Sequence, residues 1–70
     1  MKEIIFLVEE DSEGGYIAEA VGYDIVTEAE TIDELEEMTR DAVRCHFEND
    51  DKQLPKTISL RFLKERVLML

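Results

Sequence analysis

Seventy residues suffice for one small domain and lie near the lower limit for an independent hydrophobic core. Apolar residues make up 44% of the chain, too many for a disordered polymer, while eighteen acidic against eight basic residues give a formal charge of −10. A field of that sign repels nucleic-acid phosphate, which disfavours direct DNA binding and suits a basic partner or plain solubility.

Ile4 to Glu9 is mostly β-branched or aromatic and predicts a first strand covered on at least one face. At five apolar residues, Ile4–Val8 is far too short to cross a bilayer. The stretch Glu10-Asp11-Ser12-Glu13-Gly14-Gly15 is polar, and its glycine pair reaches positive φ without steric cost, so it predicts a hairpin loop. Tyr16 to Val21 reads as the second strand, with Ala18 and Ala20 small enough to let another element approach their face. Gly22-Tyr23-Asp24 makes the next turn, and Ile25 to about Glu28 a third strand.

Thr31-Ile32-Asp33-Glu34 has the form of a capping box, in which the threonine hydroxyl accepts from the amide three residues on. Asp33, Glu34, Glu36 and Glu37 crowd the first turns, where the helix dipole favours anions. Ile32, Leu35, Met38, Thr39, Ala42, Val43, His46 and Phe47 recur at three- and four-residue spacing and predict one core-facing stripe on a helix ending near Glu48. Asp33, Glu37, Arg40, Asp41, Arg44 and Glu48 fall opposite, with Glu37 and Arg40 as neighbours.

Pro55 closes the following loop, and Thr57-Ile58-Ser59-Leu60-Arg61-Phe62 alternates as a final strand. The apolar phase then slips, because Leu63 follows Phe62 directly and Val67-Leu68-Met69-Leu70 is apolar at consecutive positions. A strand on a two-layer sheet buries alternate side chains, so four apolar residues in a row require cover on both faces. The expectation is a long last strand from Thr57 to Leu70 at the centre of a homodimer or higher homo-oligomer, with Val67, Leu68, Met69 and Leu70 at the interface. The predicted order is βββαβ, an α+β sheet with one helix on one face, forming a single domain over residues 1–70.

The chemistry-bearing residues do not assemble into a reaction. Glu9, Glu19, Asp24 and Glu28 invite comparison with a two-metal nuclease site, but their spacing is what any acidic surface gives. Cys45 is the sole cysteine, which rules out an internal disulfide and a four-thiolate metal site and suggests a small core or boundary residue. His46 is the sole histidine, and adjacent helical residues point about 100° apart, so the two cannot pair as nucleophile and base. A half-buried or partner-facing histidine is expected. No catalytic, metal or cofactor-binding residue is assigned, and a non-enzyme is expected. Met1-Lys2-Glu3 opens no cleavable signal pattern, which points to a cytoplasmic protein.

The order of elements and several local sequences resemble the HicB-like antitoxin family, in particular its short single-domain members. The resemblance is carried by Glu13-Gly14-Gly15-Tyr16-Ile17-Ala18, by the capped helix from Thr31-Ile32-Asp33-Glu34-Leu35 through Asp41-Ala42-Val43-Arg44-Cys45-His46-Phe47, and by Ile58-Ser59-Leu60-Arg61-Phe62 with Glu65-Arg66-Val67. It spans nearly all of the chain and implies an incomplete RNase H-like fold without nuclease residues. In two-domain antitoxins of this kind the module binds a small basic ribonuclease toxin that resembles a double-stranded-RNA-binding domain. Two departures stand out. Val21-Gly22-Tyr23-Asp24 replaces the family's Leu-Pro-Gly-Cys turn, and the C-terminal DNA-binding module has no counterpart in these residues, so operator binding is not carried over. The implied function is occlusion of a small basic HicA-like toxin, with Glu36, Glu37 and Asp41 as candidate partner-binding residues. The alternatives are a stand-alone structural or regulatory homo-oligomer and a degenerate nuclease-fold enzyme.

Overall fold

The computed structural model describes residues 3–48, 53–63 and 68–70, and its elements run β1 (Glu3–Glu10), β2 (Tyr16–Ala20), β3 (Val26–Ala29), α1 (Ile32–His46) and β4 (Thr57–Phe62). The expected βββαβ order is present: a four-stranded mixed sheet carries a single helix packed on one face. Among the described residues no helix is long and apolar enough to cross a membrane.

Local chemistry explains the three meander strands. Gly14 and Gly15 take φ of 97° and 87°, a region closed to most side chains. Asp11 organises the loop they close, its carboxylate accepting from the Glu13 amide at 3.3 Å and its own amide donating to the Gly15 carbonyl at 2.9 Å. A Cβ on Gly15 would stand 3.0 Å from the Ala29 carbonyl oxygen, so that position is fixed by close approach as well as by φ. β2 pairs antiparallel with β1 and with β3, while β4 returns parallel to β1, giving the spatial order β3-β2-β1-β4.

Alternation along the strands separates two faces. Ile4, Phe6 and Val8 of β1, Ala18 and Ala20 of β2, and Thr27 of β3 are buried beneath the helix, joined by Ile25 from the β2–β3 turn. The alanines of β2 have the role their size suggests, since the helix lies against β3 and β2. β4 sits at the other edge, and its Ile58 and Leu60 are only partly covered.

Thr31 caps α1 from an extended conformation, its hydroxyl accepting from the Glu34 amide at 3.1 Å. The stripe actually buried is Leu35, Thr39, Val43 and Phe47, one residue per turn, with Ala42 partly buried. Three members of the expected stripe are corrected. Ile32 and His46 are exposed because each lies three residues from a buried position, Leu35 or Val43, which turns it about 60° away from the sheet. Met38 is 49% exposed because a three-residue step from Leu35 falls about 60° short of a full circle and swings it to the flank. Cys45 is also exposed rather than a core or boundary residue, since two residues beyond buried Val43 is about 200° around the helix. Nor does Arg40 meet Glu37: it pairs with Glu36 one turn earlier at 3.6 Å, and Arg44 pairs with Asp41 at 3.7 Å. Such exposed pairs contribute little to stability.

One polar contact lies inside the core. The hydroxyl oxygens of Thr27 on β3 and Thr39 on α1 stand 3.1 Å apart, both residues buried, and share a hydrogen bond that ties helix to sheet. Thr39→Val keeps the shape but leaves the Thr27 hydroxyl without its partner, and is expected to cost about 1–3 kcal/mol. The double variant Thr27→Val/Thr39→Val removes both polar groups and should recover most of that loss. Denaturant melts of the four chains check this; a double variant no more stable than the single one would mean that the hydroxyls do not depend on each other.

The last strand is shorter than expected. β4 ends at Phe62, followed by one more backbone bond from the Leu63 amide to the Val8 carbonyl at 2.8 Å. β1 turns away at Asp11, so a parallel neighbour soon runs out of strand to pair with. Leu68, Met69 and Leu70 are outside any strand, and Val67 lies outside the described residues.

Candidate interaction surface

The face of the sheet turned away from α1 has no element over it among the described residues, and its composition is unusual for an open surface. Register places the side chains in rows across the strands. In one row Val26 of β3 neighbours Glu19 of β2, which faces Leu7 of β1, which faces Arg61 of β4. In the next, Glu28 faces Ile17 and Ile17 faces Glu9. Anion and hydrocarbon therefore alternate both along and across the strands. Ile5 and Ile17 are half-buried by their neighbours alone, while Leu7, Val26 and Val21 are exposed at 37%, 60% and 52%. A shallow depression of about 350 Å³ opens here, lined by Leu7, Glu9, Ile17, Glu19, Val21 and Leu63 among others. At the β4 edge the Ser59 hydroxyl donates to the Glu3 carboxylate.

Three of the four acids compared with a nuclease site, Glu9, Glu19 and Glu28, thus share this face, whereas Asp24 sits in the β2–β3 turn. Among the described residues no three of His, Cys, Asp and Glu gather as a group able to hold a metal ion. The acids are interleaved with hydrocarbon instead of converging, so their arrangement can present charge around apolar contacts but not grip one cation.

A second concavity lies on the helix side. Because α1 sits over β2 and β3, a groove of about 710 Å³ opens between the helix flank and β4, with Val43, Ile58, Leu60 and Phe62 among its apolar lining. Its rim carries Arg40, Arg44 and Lys56. Among the described residues Arg40, Arg44 and Lys56 line this groove together with Glu36, while Arg61 stands opposite Leu7 on the open face.

The helix acids occupy a mixed surface. Glu36 and Asp41 are engaged by Arg40 and Arg44, and Glu37 is exposed beside them, so the helix flank is nearly balanced in charge where the open sheet face is not. His46 is exposed and packs edge-on against Tyr23, with ring centroids 5.8 Å apart, and against Phe47 at 4.8 Å. Tyr23 also meets Phe47 at 5.4 Å, so the residue standing where the resembled family has its Pro-Gly turn serves to pin the end of the helix.

Comparison with known proteins gives two relatives of the same name. A UPF0150 protein of Thermotoga maritima is 45% identical over 64 residues, covering 91% of this chain and 87% of its own. The chain belongs to the UPF0150 family. A second UPF0150 protein, from Archaeoglobus fulgidus, is 51% identical over 49 residues, or 70% of this chain and 73% of the relative. No family model and no solved structure matches. This UPF0150 chain is close in extent to its relatives, so its domain is comparable to most of each of theirs.

Proposed function

We propose that this UPF0150 protein is a non-catalytic, antitoxin-like interaction module of the HicB type, acting in the cytoplasm by covering a small basic HicA-like ribonuclease toxin. The observation that carries the reading is the open sheet face, where Glu9, Glu19 and Glu28 alternate with Leu7, Ile17 and Val26. An exposed apolar centre edged mostly by carboxylates, with Arg61 at its β4 side, is the form of a protein-binding patch, with hydrocarbon supplying affinity and charge supplying partner choice. A basic RNA-binding surface is complementary to it, and covering that surface denies the toxin its substrate. The sequence resemblance to HicB-like antitoxins and the βββαβ order with one helix support the same reading.

The test is neutralisation. A small basic protein encoded beside this gene should arrest growth when expressed alone and cleave RNA when purified; this chain, added in equimolar amount, should suppress both. Glu9→Gln/Glu19→Gln/Glu28→Gln should suppress neither while keeping its helical circular dichroism. The chain itself should leave RNA intact with magnesium or manganese, and metal-dependent cleavage abolished by Glu19→Gln would instead establish the nuclease alternative.

A further inference from the structure

The two edges of the sheet differ in how they are protected. β3 is four residues long and has the helix packed against it, and both features blunt an edge. β4 runs for six residues without a proline, a lysine or a bulge, and among the described residues it pairs with β1 alone. The Leu63 amide bonds the Val8 carbonyl, and the pleat turns the backbone groups of successive residues to opposite sides. Ser59 and Arg61 therefore bond toward β1, while the amides and carbonyls of Ile58, Leu60 and Phe62 point outward. The side chains of those same three residues line the helix-side groove, Ile58 and Leu60 half-buried and Phe62 47% exposed. One edge thus presents both an extended backbone and a row of apolar side chains.

We infer that β4 of a second copy of this chain pairs with that edge, antiparallel across a two-fold axis at Leu60, so that two sheets become one. Parity fixes the register. With Leu60 opposite its counterpart, Ile58 of each copy meets Phe62 of the other, and all three outward residues exchange amide and carbonyl bonds. A one-residue slide sets outward groups against inward ones, and a two-residue slide leaves one of the three beyond the other strand. Charge fits the same register. On the face away from the helix, Arg61 falls beside Ser59 of the second copy, whose hydroxyl donates to the Glu3 carboxylate. The two arginines stand about 7–8 Å apart on the diagonal, each flanked by a carboxylate of the other copy. On the helix side the charges are Arg40, Arg44 and Lys56 with Glu36 and Asp41. The helices lie over β2 and β3, so five strand spacings hold them about 24 Å apart, well beyond the Debye length. The two Lys56 lie at opposite ends of the paired strands. A formal charge of −10 on each copy opposes association at long range, which makes the local pairs at Arg61 decisive. The pairing leaves Glu9, Glu19 and Glu28 uncovered, so it neither rests on the proposed toxin contact nor competes with it.

Sedimentation equilibrium of the pure chain at micromolar concentration, in reducing buffer at about 0.15 M salt, should give a dimer. In hydrogen exchange the amides of Ile58, Leu60 and Phe62 should be protected. Arg61→Glu sets carboxylates against carboxylates across the axis, and Glu3→Arg sets guanidinium groups against guanidinium groups. Both residues are exposed, so each variant should keep its circular dichroism, weaken the dimer at least tenfold and lose that protection. Mixed in equal amounts, the two variants should form a heterodimer, because each then meets the opposite charge. A role for either residue within its own chain does not produce that rescue. Leu68→Ser/Met69→Ser/Leu70→Ser, which alters exposed residues outside any strand, should leave the dimer intact. A monomeric full chain, a dimer whose three amides exchange as fast as in the Arg61→Glu variant, or a mixture that stays monomeric would each overturn the inference. So would a dimer dispersed by the serine variant and untouched by Arg61→Glu.

Discussion

Truncating Phe6 to alanine is expected to leave the chain largely unfolded at room temperature. Phe6 is completely buried at the centre of β1, the strand that pairs with both β2 and β4, and among the described residues no other fully buried side chain is larger. Removing a buried phenyl ring costs about 3–5 kcal/mol, combining lost transfer energy with the cavity left behind. A domain of seventy residues has a total stability of about 4–10 kcal/mol, so one substitution takes most of it. Met38→Ala is the control: the residue carries as much hydrocarbon as most of the core but lies on the helix flank at 49% exposure. It should shift a urea midpoint little. Similar midpoints for the two variants would show that the core is not centred on β1.

That contrast also marks how far the sequence speaks. The glycine hairpin, the threonine cap and the period of each strand are local facts, written in neighbouring residues, and they place the first four elements to within a residue or two, whereas the last strand, expected from Thr57 to Leu70, ends at Phe62. Periodicity overstates the buried stripe because it says which side of a helix is apolar, not how wide a sheet lies beneath it. Ile32, Met38 and His46 are in phase, or nearly so, with buried residues, yet the sheet covers only Leu35, Thr39, Val43 and Phe47. Cys45 illustrates the converse, as its residue type favours burial and its phase on the helix forbids it.

Strand pairing is the other missing piece. Nothing in Thr57–Phe62 states that it lies parallel to β1 at the edge of the sheet, because alternation is the same whichever neighbour a strand adopts. The open face depends on the register of the β1–β2–β3 meander. Glu9, Glu19 and Glu28 are ten or nine residues apart in the chain and look scattered; register brings them onto one surface with Leu7, Ile17 and Val26 between them. The helix acids Glu36, Glu37 and Asp41 are conspicuous in sequence because they are close together, but local spacing also supplies them with Arg40 and Arg44. A dense acidic run on a helix that carries its own arginines offers a partner less field than a sparser set on an open sheet.

The electrostatic consequence separates the two surfaces quantitatively. Glu9→Gln/Glu19→Gln/Glu28→Gln and Glu36→Gln/Glu37→Gln/Asp41→Asn each remove three negative charges from the formal −10, so their effect on the overall field is equal. What differs is where the charge is lost. A steered encounter gains about 10–10³ in rate from the field at the docking patch, and that gain is screened once the Debye length falls to about 3 Å near molar salt. Stopped-flow association with a basic HicA-like toxin at low salt should therefore be slowed at least tenfold by the sheet triple and only a few-fold by the helix triple, where freed Arg40 and Arg44 add local repulsion. At molar salt the three chains should converge, leaving the apolar contacts of Leu7, Ile17 and Val26 as the residual determinant of dissociation. Equal slowing by the two triples would mean that net charge alone does the steering, and a larger effect from the helix triple would move the interface to α1.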